Sequence, residues 1–201
     1  MAVERHTLPL FPLHTVLFPG GPLALRIFEP RYLDMVRRCL KEQSGFGVTT
    51  ILEGQEAGAV GRMAPLGTHA RLVDFDPLPD GLLGITCLGG ERLRVLRHWQ
   101  QPDGLNVGEV EFLAPAAPCA LPDELAHLAD LLREVLPRLG RGYAHVPACY
   151  EDAGWVADRW AEVLPLEPHE KLALLGVEAP LERLAQVAAA WSARQPPAAH
   201  V

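Results

Sequence analysis

The residues that could carry out catalysis are few, and their spacing argues against an enzyme. Lys41 and Ser44 stand three positions apart and could form a Ser-Lys nucleophile. Both close a predicted helix, however, and we interpret them as its polar end. His145 and Cys149 are four positions apart, but Pro147 between them breaks the helix that would align them. We therefore predict no catalytic residues and a protein that is not an enzyme.

Motifs for nucleotides and metal ions are also missing from the sequence. A P-loop needs a lysine after its glycines, and the two lysines, Lys41 and Lys171, follow no such loop. The sequence contains neither G-x-S-x-G nor H-E-x-x-H, and its four cysteines form no C-x-x-C. Scattered cysteines of this kind are typical of thiols in a reducing cytosol. We predict no cofactor, no metal and a cytoplasmic protein.

Three arginines on one predicted strand could bind an anion or RNA. Arg92 and Arg94 share a strand face because they are two residues apart, and Arg97 follows closely. The other interpretation is a solvated or ion-paired sheet face, which we favour. The formal net charge of −7 argues against a surface devoted to phosphate backbones. RNA binding through Arg92, Arg94 and Arg97 stays open as the alternative function.

Up to about residue 114, short apolar runs broken by Gly and Pro predict strands in a small barrel or sandwich. Helical spacing predicts one helix, from Arg31 to Glu42. Gly89-Gly90 is predicted to be the turn of a hairpin. The predicted strands include Phe46 to Leu52, Leu82 to Leu88, Glu91 to Trp99 and Val107 to Leu113.

After Pro115 the apolar period changes from that of strands to that of helices. Asp123 to Leu139 is an amphipathic pattern that Pro137 should bend or end. Asp152 is a candidate cap for a helix that carries Trp155 and Trp160. We predict a strand-rich part over 1–117 and a helical part over 118–201, of which 195–201 is a disordered tail. Two further short helices are predicted, His169 to Leu175 and Pro180 to Trp191.

The stretch from Leu8 to Tyr32, LPLFPLHTVLFPGGPLALRIFEPRY, is the most distinctive in the sequence. Its five prolines remove backbone donors, which restricts the segment to an edge strand or an extended entry. Gly20 and Gly21 permit a sharp reversal. Pro30 suits the first turn of a helix, where the missing N–H has no cost.

The order of these motifs closely resembles the start of the Lon protease amino-terminal, substrate-binding domain. The resemblance rests on Leu8 to Leu13, Phe18 to Gly20 and Phe28 to Tyr32, and it continues into Gly89 to Val95 and the helical end. It implies an α+β fold: a small PUA-like β-barrel with one inserted helix, followed by a carboxy-terminal α-helical bundle. It also implies a stand-alone form without the ATPase and peptidase modules of Lon proteases.

The resemblance further implies a non-catalytic module that binds unfolded or flexible polypeptide, or a protein partner, as an adaptor or recognition part. We expect binding near the groove between barrel and helices. Glu29 is predicted to be partly buried and ion-paired with Arg31 or Arg92; contact with a bound peptide is the alternative. The candidate polypeptide-binding residues are Phe18, Pro19, Gly20, Gly21, Pro22 and Trp99. The signature residues with a predicted structural role are Glu29, Arg31, Tyr32 and Arg92.

Composition is compatible with this assignment. The 201 residues are 49% hydrophobic, as in a globular protein. No apolar run approaches the ~20 residues that cross a bilayer, and residues 1–7 lack the apolar region of a signal peptide. We therefore expect no membrane partner, and a weak homo-oligomer is left open.

Overall fold

The computed structural model describes residues 4–56 and 60–194 of the chain. They form a mixed α+β protein with six strands in one sheet and several helices. The strands are β1 (Arg5–Leu13), β2 (Pro22–Ile27), β3 (Phe46–Gly54), β4 (Val60–Pro77), β5 (Leu83–Gln100) and β6 (Asn106–Phe112). The helices are α1 (Pro30–Glu42), α2 (Ala126–Val135), α3 (Ala153–Val163), α4 (Pro168–Gly176) and α5 (Pro180–Arg194).

The sheet has the strand order β2-β5-β4-β3-β1-β6, and β5 also pairs with β6. The extra pairing joins β5, β4, β3, β1 and β6 into a ring, with β2 outside it against the first half of β5. β1 and β3 run parallel, and the other pairs are antiparallel. The PUA-like name for this sheet remains a prediction from the resemblance.

Gly89-Gly90 is not a hairpin turn, so that prediction is wrong. Both glycines lie inside the continuous strand β5, which pairs with β2 before them and with β6 after them. A side chain at Gly89 would collide with the Phe18 carbonyl. The glycines are therefore needed for the close approach of another segment and not for a chain reversal.

The change from strand to helix occurs where the prolines predicted it. The last strand ends at Phe112, and helical structure begins at Asp123. The predicted helix over 123–139 is a 3₁₀ turn, then α2, then a second 3₁₀ turn that contains Pro137. Asp152 caps α3 as expected, because its Oδ1 accepts the Trp155 N–H at 2.7 Å.

Two main hydrophobic clusters hold the molecule together, one inside the sheet against α1 and one among the later helices. Val16 and Phe18, from the segment between β1 and β2, belong to the helical cluster. The two parts therefore share packing, and the predicted boundary at 117/118 stays a prediction. The predicted disordered tail, 195–201, lies outside the described residues. None of the helices in the described ranges is long and apolar enough to cross a membrane.

Candidate functional site

A cavity of about 750 Å³ lies between the sheet and the helices. Its walls come from the turn before β2, the middle of β4 and of β5, the segment after β6, the residues just before α3, and the helices α3 and α5. We call it the cleft. The apolar residues along it include Pro19, Pro115, Ala116, Ala117, Pro118, Trp155 and Pro180.

A buried ion pair holds the turn that forms one wall of the cleft. Arg159 on α3 is fully buried and donates twice to Glu162, from Nε at 2.8 Å and from Nη2 at 2.5 Å. Nη2 also donates to the Pro19 carbonyl at 2.9 Å. Tyr143 adds a hydrogen bond from its hydroxyl to Glu162 Oε2 at 3.2 Å. This network fixes the Phe-Pro-Gly-Gly turn to the helical part.

The two glycines of the turn are required by this docking. Gly20 has a φ of +71°, which glycine adopts without a steric penalty. A Cβ at Gly21 would collide with the Glu162 carboxylate. Gly20 N–H and Gly89 N–H donate to the carbonyls of Gly89 and Gly21, each at 2.8 Å. The turn is therefore clamped by β5 on one side and by α3 on the other.

A second charged cluster lines the cleft itself. Arg183 on α5 lies 2.9 Å from Asp158 (Nε to Oδ1), with the geometry of an ion pair, and both are buried. Its Nη1 donates to the Val177 carbonyl at 2.6 Å. Arg92 on β5 donates to the Leu175 carbonyl at 3.0 Å. Two arginines from different parts of the molecule thus meet at the end of α4, where carbonyls lack helical partners.

Two acid–base groups of the cleft have shifted pKa values. Burial raises the pKa of Asp158 to about 7, although Arg183, Arg159 and Arg92 act to lower it. Burial lowers the pKa of His69, with a smaller opposing effect from Glu91. Both shifts follow from removal of charge from water. The two pKa shifts show that this wall of the cleft is partly shielded from water. They do not by themselves indicate catalysis.

Trp155 is an aromatic residue of the cleft with a buried polar atom. Its side chain lines the cavity and packs edge-to-face on Tyr150, with ring centroids 4.8 Å apart. Its Nε1 is buried and has no hydrogen-bond partner among the described residues. A buried N–H without a partner is costly.

The signature residues at the start of α1 lie elsewhere. Glu29 is mostly buried and pairs with Arg31 (Oε2 to Nη2, 2.7 Å), so the prediction of a partly buried, paired Glu29 is confirmed. Arg31 also donates to the Gly104 carbonyl at 2.7 Å. Tyr32 is buried and stacks on Phe11 at 4.0 Å. Arg92 is not the partner of Glu29, because it extends to the end of α4 instead.

The predicted polypeptide-binding residues differ in exposure and in position. Phe18 is 0% exposed in the helical core and Gly21 is buried, so neither offers a surface for a ligand. Pro19 and Gly20 line the cleft and are partly exposed. Pro22 begins β2 and is also partly exposed. Trp99 is 40% exposed, as expected, but it lies near the end of β5 and not among the residues that line the cleft.

The three arginines of the predicted RNA patch do not form one surface. Arg92 is buried in the junction with the helices. Arg94 pairs with Glu111 and Arg97 with Glu109, each at 2.6 Å. Arg5 pairs with Glu109 as well, at 3.0 Å. The favoured interpretation, an ion-paired sheet face, is therefore correct for Arg94 and Arg97.

Sequence reasoning missed the charged residues of α3 and α5. Asp158, Arg159, Glu162 and Arg183 lie in helices that were assigned to packing. A charged residue on the apolar face of a predicted helix is the signal that could have identified them, since such charges are paired when buried. No cluster of three or more metal-binding side chains occurs in 4–56 and 60–194.

Comparison with known proteins places this architecture among characterised domains. The family described as the ATP-dependent protease La (LON) substrate-binding domain matches residues 7–189. A crystal structure of a Lon N-terminal domain protein from Xanthomonas campestris is 40% identical, with a TM-score of 0.75. The match covers 92% of this chain and 98% of that one.

Two curated proteins contain a similar stretch. Lon protease 2 from Myxococcus xanthus is 27% identical over 176 residues, which is 84% of this chain and 21% of that protein. Protein cereblon from Danio rerio is 28% identical over 144 residues, 70% of this chain and 30% of that protein. The chain thus spans only about a fifth to a third of these relatives.

Proposed function

Because this chain belongs to the family of Lon substrate-binding domains, we propose that it is a non-catalytic module that binds polypeptide. The partner is a segment of an unfolded or flexible chain, or a flexible segment of a protein partner. The binding site is the cleft between the sheet and the helices. The module acts as an adaptor or recognition part, and its polypeptide partner is delivered to machinery that other proteins or other domains supply.

The observation that carries the proposal is the composition of the cleft. Its rim from residue 115 to residue 118 is exposed and consists of Pro115, Ala116, Ala117 and Pro118. Small apolar residues of this kind accept varied side chains without demanding one shape. Trp155 adds an aromatic surface to the cleft. Clefts at the junction of two parts of a protein are common ligand sites.

The charged groups of the cleft support a binding role and not a catalytic one. Asp158 is held by Arg183, and Arg92 and Arg183 donate to carbonyls at the end of α4. A nucleophile with an adjacent general base would be needed for peptide hydrolysis. Ser44 and Ser192 are absent from the lining of the cleft. We infer that the ionic groups position the walls.

The RNA alternative has less support. A phosphate-binding surface needs cationic side chains that are free to neutralise phosphates, which releases the counterions of the nucleic acid. Arg94 and Arg97 are already neutralised by Glu111 and Glu109, and Arg92 is buried. RNA would have to displace these carboxylates against a formal net charge of −7.

The proposal includes the finer features of fold and location that the family suggests. The ring of five strands is a PUA-like barrel, and the helices after residue 118 form a bundle against it. The protein works in the cytoplasm. The substrates and partners of the full-length relatives come to this chain only as part of this proposal, since it matches a minor part of their length.

Titration of a fluorescently labelled, reduced and carboxymethylated protein, which stays unfolded in buffer, tests the proposal. We expect saturable binding, weak as a single contact, with a Kd on the order of micromolar. The affinity should change less than about threefold between 50 and 200 mM salt. Counterion release from several phosphate contacts would give a change of about 10³-fold or more.

Two variants, each with one alanine replaced by arginine, locate the binding site. Ala116→Arg places a long charged side chain on the rim of the cleft and should weaken binding at least tenfold. Ala185→Arg, on an exposed position of α5 outside the cleft, should bind like the wild type. Equal affinities for the two variants would move the site away from the cleft. Tight, salt-sensitive RNA binding without any binding of unfolded protein would transfer the function to the RNA alternative.

A further inference from the structure

Strand β2 has a free edge. It stands at the end of the strand order, and among the described residues it pairs only with β5. Pro22 at its start packs against Gly142, while the residues after it continue to Ile27. Alternate residues of an edge strand direct their N–H and C=O groups away from the sheet. These groups are a ready template for another strand.

A groove of about 450 Å³ runs beside this edge. Ala24, Leu25, Arg26 and Ile27 of β2 form one side. Phe11 and Leu13 at the end of β1, together with Tyr32 of α1, form the other side. None of these residues lines the cleft, so the groove is a separate site.

The pairing pattern explains why the groove exists. β6 pairs with β1 only as far as Leu10, and β1 continues to Leu13 with β3 as its partner on the other side. β5 is paired by β2 up to Leu88 and by β6 from Leu93. Between β2 and the end of β1 the described residues place no strand. The groove therefore has backbone on both sides.

Tyr32 provides a polar group at the groove. Its side chain is 3% exposed and lines the groove, yet its hydroxyl has no hydrogen-bond partner among the described residues. A hydroxyl buried without a partner is destabilising. Family resemblance gave this residue only a structural role, and its ring does stack on Phe11. Packing explains the position of the Tyr32 ring but not its unpaired hydroxyl.

The surroundings indicate the charge of an occupant. Arg26 pairs with Asp80, Glu29 pairs with Arg31, and Glu56 accepts the His14 N–H at 2.7 Å. These five charged side chains comprise three carboxylates and two guanidinium groups, so the local formal charge is −1. Two large apolar side chains near this end of the sheet are also exposed, Phe28 at 59% and Phe75 at 58%. Apolar residues flanked by basic ones would complement this surface.

We propose that the groove binds an extended polypeptide segment, which adds to the free edge of β2 as a strand. Main-chain hydrogen bonds to β2 hold the segment, and its alternate apolar side chains enter the groove beside Leu25 and Tyr32. The Tyr32 hydroxyl is satisfied by the incoming chain. The proposal rests on the proposed polypeptide partner. It adds a second site, which recognises the backbone of the bound segment.

A strand fits this site better than a helix or a small molecule does. A helix satisfies its backbone groups internally and would leave the edge of β2 unpaired. A small apolar ligand would leave both the edge and the Tyr32 hydroxyl without partners. Only an extended chain offers donors and acceptors at the spacing of a β-ladder.

The test uses the unmodified protein and a synthetic peptide, acetyl-KTVTVTVTVK-amide, in three forms. The first has a normal backbone, the second is N-methylated at every valine, and the third at every threonine. In a strand, all valine N–H groups point to one edge and all threonine N–H groups to the other. A one-residue slip would exchange the faces of valine and threonine, so the register is fixed. We expect one methylated peptide to bind at least tenfold more weakly than the parent and the other within about threefold.

Amide chemical shifts of the labelled protein report the location. The parent peptide should perturb the amides of β2 and of Tyr32, and slow hydrogen exchange at alternate residues of β2. Tyr32→Phe removes only the hydroxyl and should bind the peptide three- to tenfold more weakly at unchanged or higher Tm. Tyr150→Phe, in the helical part, is the matched control and should bind like the wild type.

Several results would overturn strand addition. They are absence of peptide binding up to about 1 mM, equal losses for the two methylated peptides, amide perturbations that leave β2 and Tyr32 unaffected, or equal affinities of the two tyrosine variants. If unfolded protein still bound with sensitivity to Ala116→Arg, the cleft would remain the polypeptide site and only the edge proposal would fail. If neither probe bound, both proposals would fall.

Discussion

Arg92 and Arg94 are two residues apart on one strand and have opposite environments. Arg92 is buried and donates to the Leu175 carbonyl across the junction with the helices. Arg94 is about half exposed and pairs with Glu111 on the neighbouring strand. Both belong to the segment Glu-Arg-Leu-Arg-Val of β5, in which charged and apolar residues alternate after Glu91. The tertiary partner therefore decides whether an arginine of β5 joins two parts of the molecule or only covers its surface.

The same contrast separates two regions. In the junction, Arg159, Glu162, Asp158 and Arg183 are removed from water and hold the walls of the cleft. On the outer face of β5 and β6, Arg94 and Arg97 remain more than half exposed, although their partner carboxylates are mostly covered. Buried charges are strongly destabilising when they lose a partner, whereas exposed pairs contribute little. Four predictions test this difference.

Removing Arg159 should have the largest effect. Arg159→Met leaves the Glu162 carboxylate buried without its bidentate partner and frees the Pro19 carbonyl. We expect a loss of about 3–5 kcal/mol in the free energy of unfolding, measured by urea denaturation. The double variant Arg159→Met, Glu162→Leu removes both charges and should recover part of the loss. A loss below about 1 kcal/mol in the single variant would show that the pair is hydrated.

Removing Arg92 should have the next largest effect. Arg92→Met keeps an apolar side chain of similar length but loses the hydrogen bond to the Leu175 carbonyl. A hydrogen bond from a charged group contributes about 1.5–3 kcal/mol. We expect a destabilisation in that range and, since Arg92 lines the cleft, weaker binding of unfolded polypeptide. Wild-type stability together with wild-type binding would contradict a structural role at the junction.

His69 should make stability depend on pH in a defined direction. Burial lowers the pKa of His69 in the folded state below that in the unfolded state. The unfolded state therefore binds more protons as pH falls, and stability should decrease between about pH 7 and pH 5. His69→Gln should remove this part of the slope. Thermal denaturation of both proteins over this range measures it, and parallel curves would refute the assignment.

Removing Arg94 should have the smallest effect. Arg94→Met breaks only the exposed pair with Glu111, so we expect a loss of about 0.2–1 kcal/mol. Urea denaturation in parallel with Arg92→Met gives the direct contrast between the two arginines. RNA retention on a filter should be equally low for the wild type and this variant. A loss as large as that of Arg92→Met would end the distinction between the two regions.

The order of elements was predictable because local signals dominate it. Prolines marked the change from strand to helix, Pro137 ended α2, and Asp152 capped α3. Gly89-Gly90 misled the prediction because a glycine pair signals a turn from sequence alone. Its real role, close approach of the Phe18 carbonyl, depends on a segment about 70 residues earlier.

The site was predictable only in outline. A binding site between the sheet and the helices was expected, and the cleft lies there. A contribution from the turn at Pro19-Gly20 was also expected, and both residues line the cleft. Phe18 was a candidate for polypeptide binding because it begins the turn of the family motif, but here it packs in the helical core. The partners of Arg159 and Arg183 could not be foreseen, because nothing local indicates which buried charge meets which carbonyl.

Hydrogen–deuterium exchange with and without an unfolded polypeptide tests the central claim most directly. We predict slower exchange on binding at Ala116 and Ala117, which are exposed on the rim of the cleft and carry a backbone N–H, unlike Pro115 and Pro118. The outer face of β5 and β6, with Arg94 and Arg97, should exchange unchanged. Slowing confined to that outer face, or no change anywhere in the presence of saturating polypeptide, would contradict a polypeptide-binding cleft.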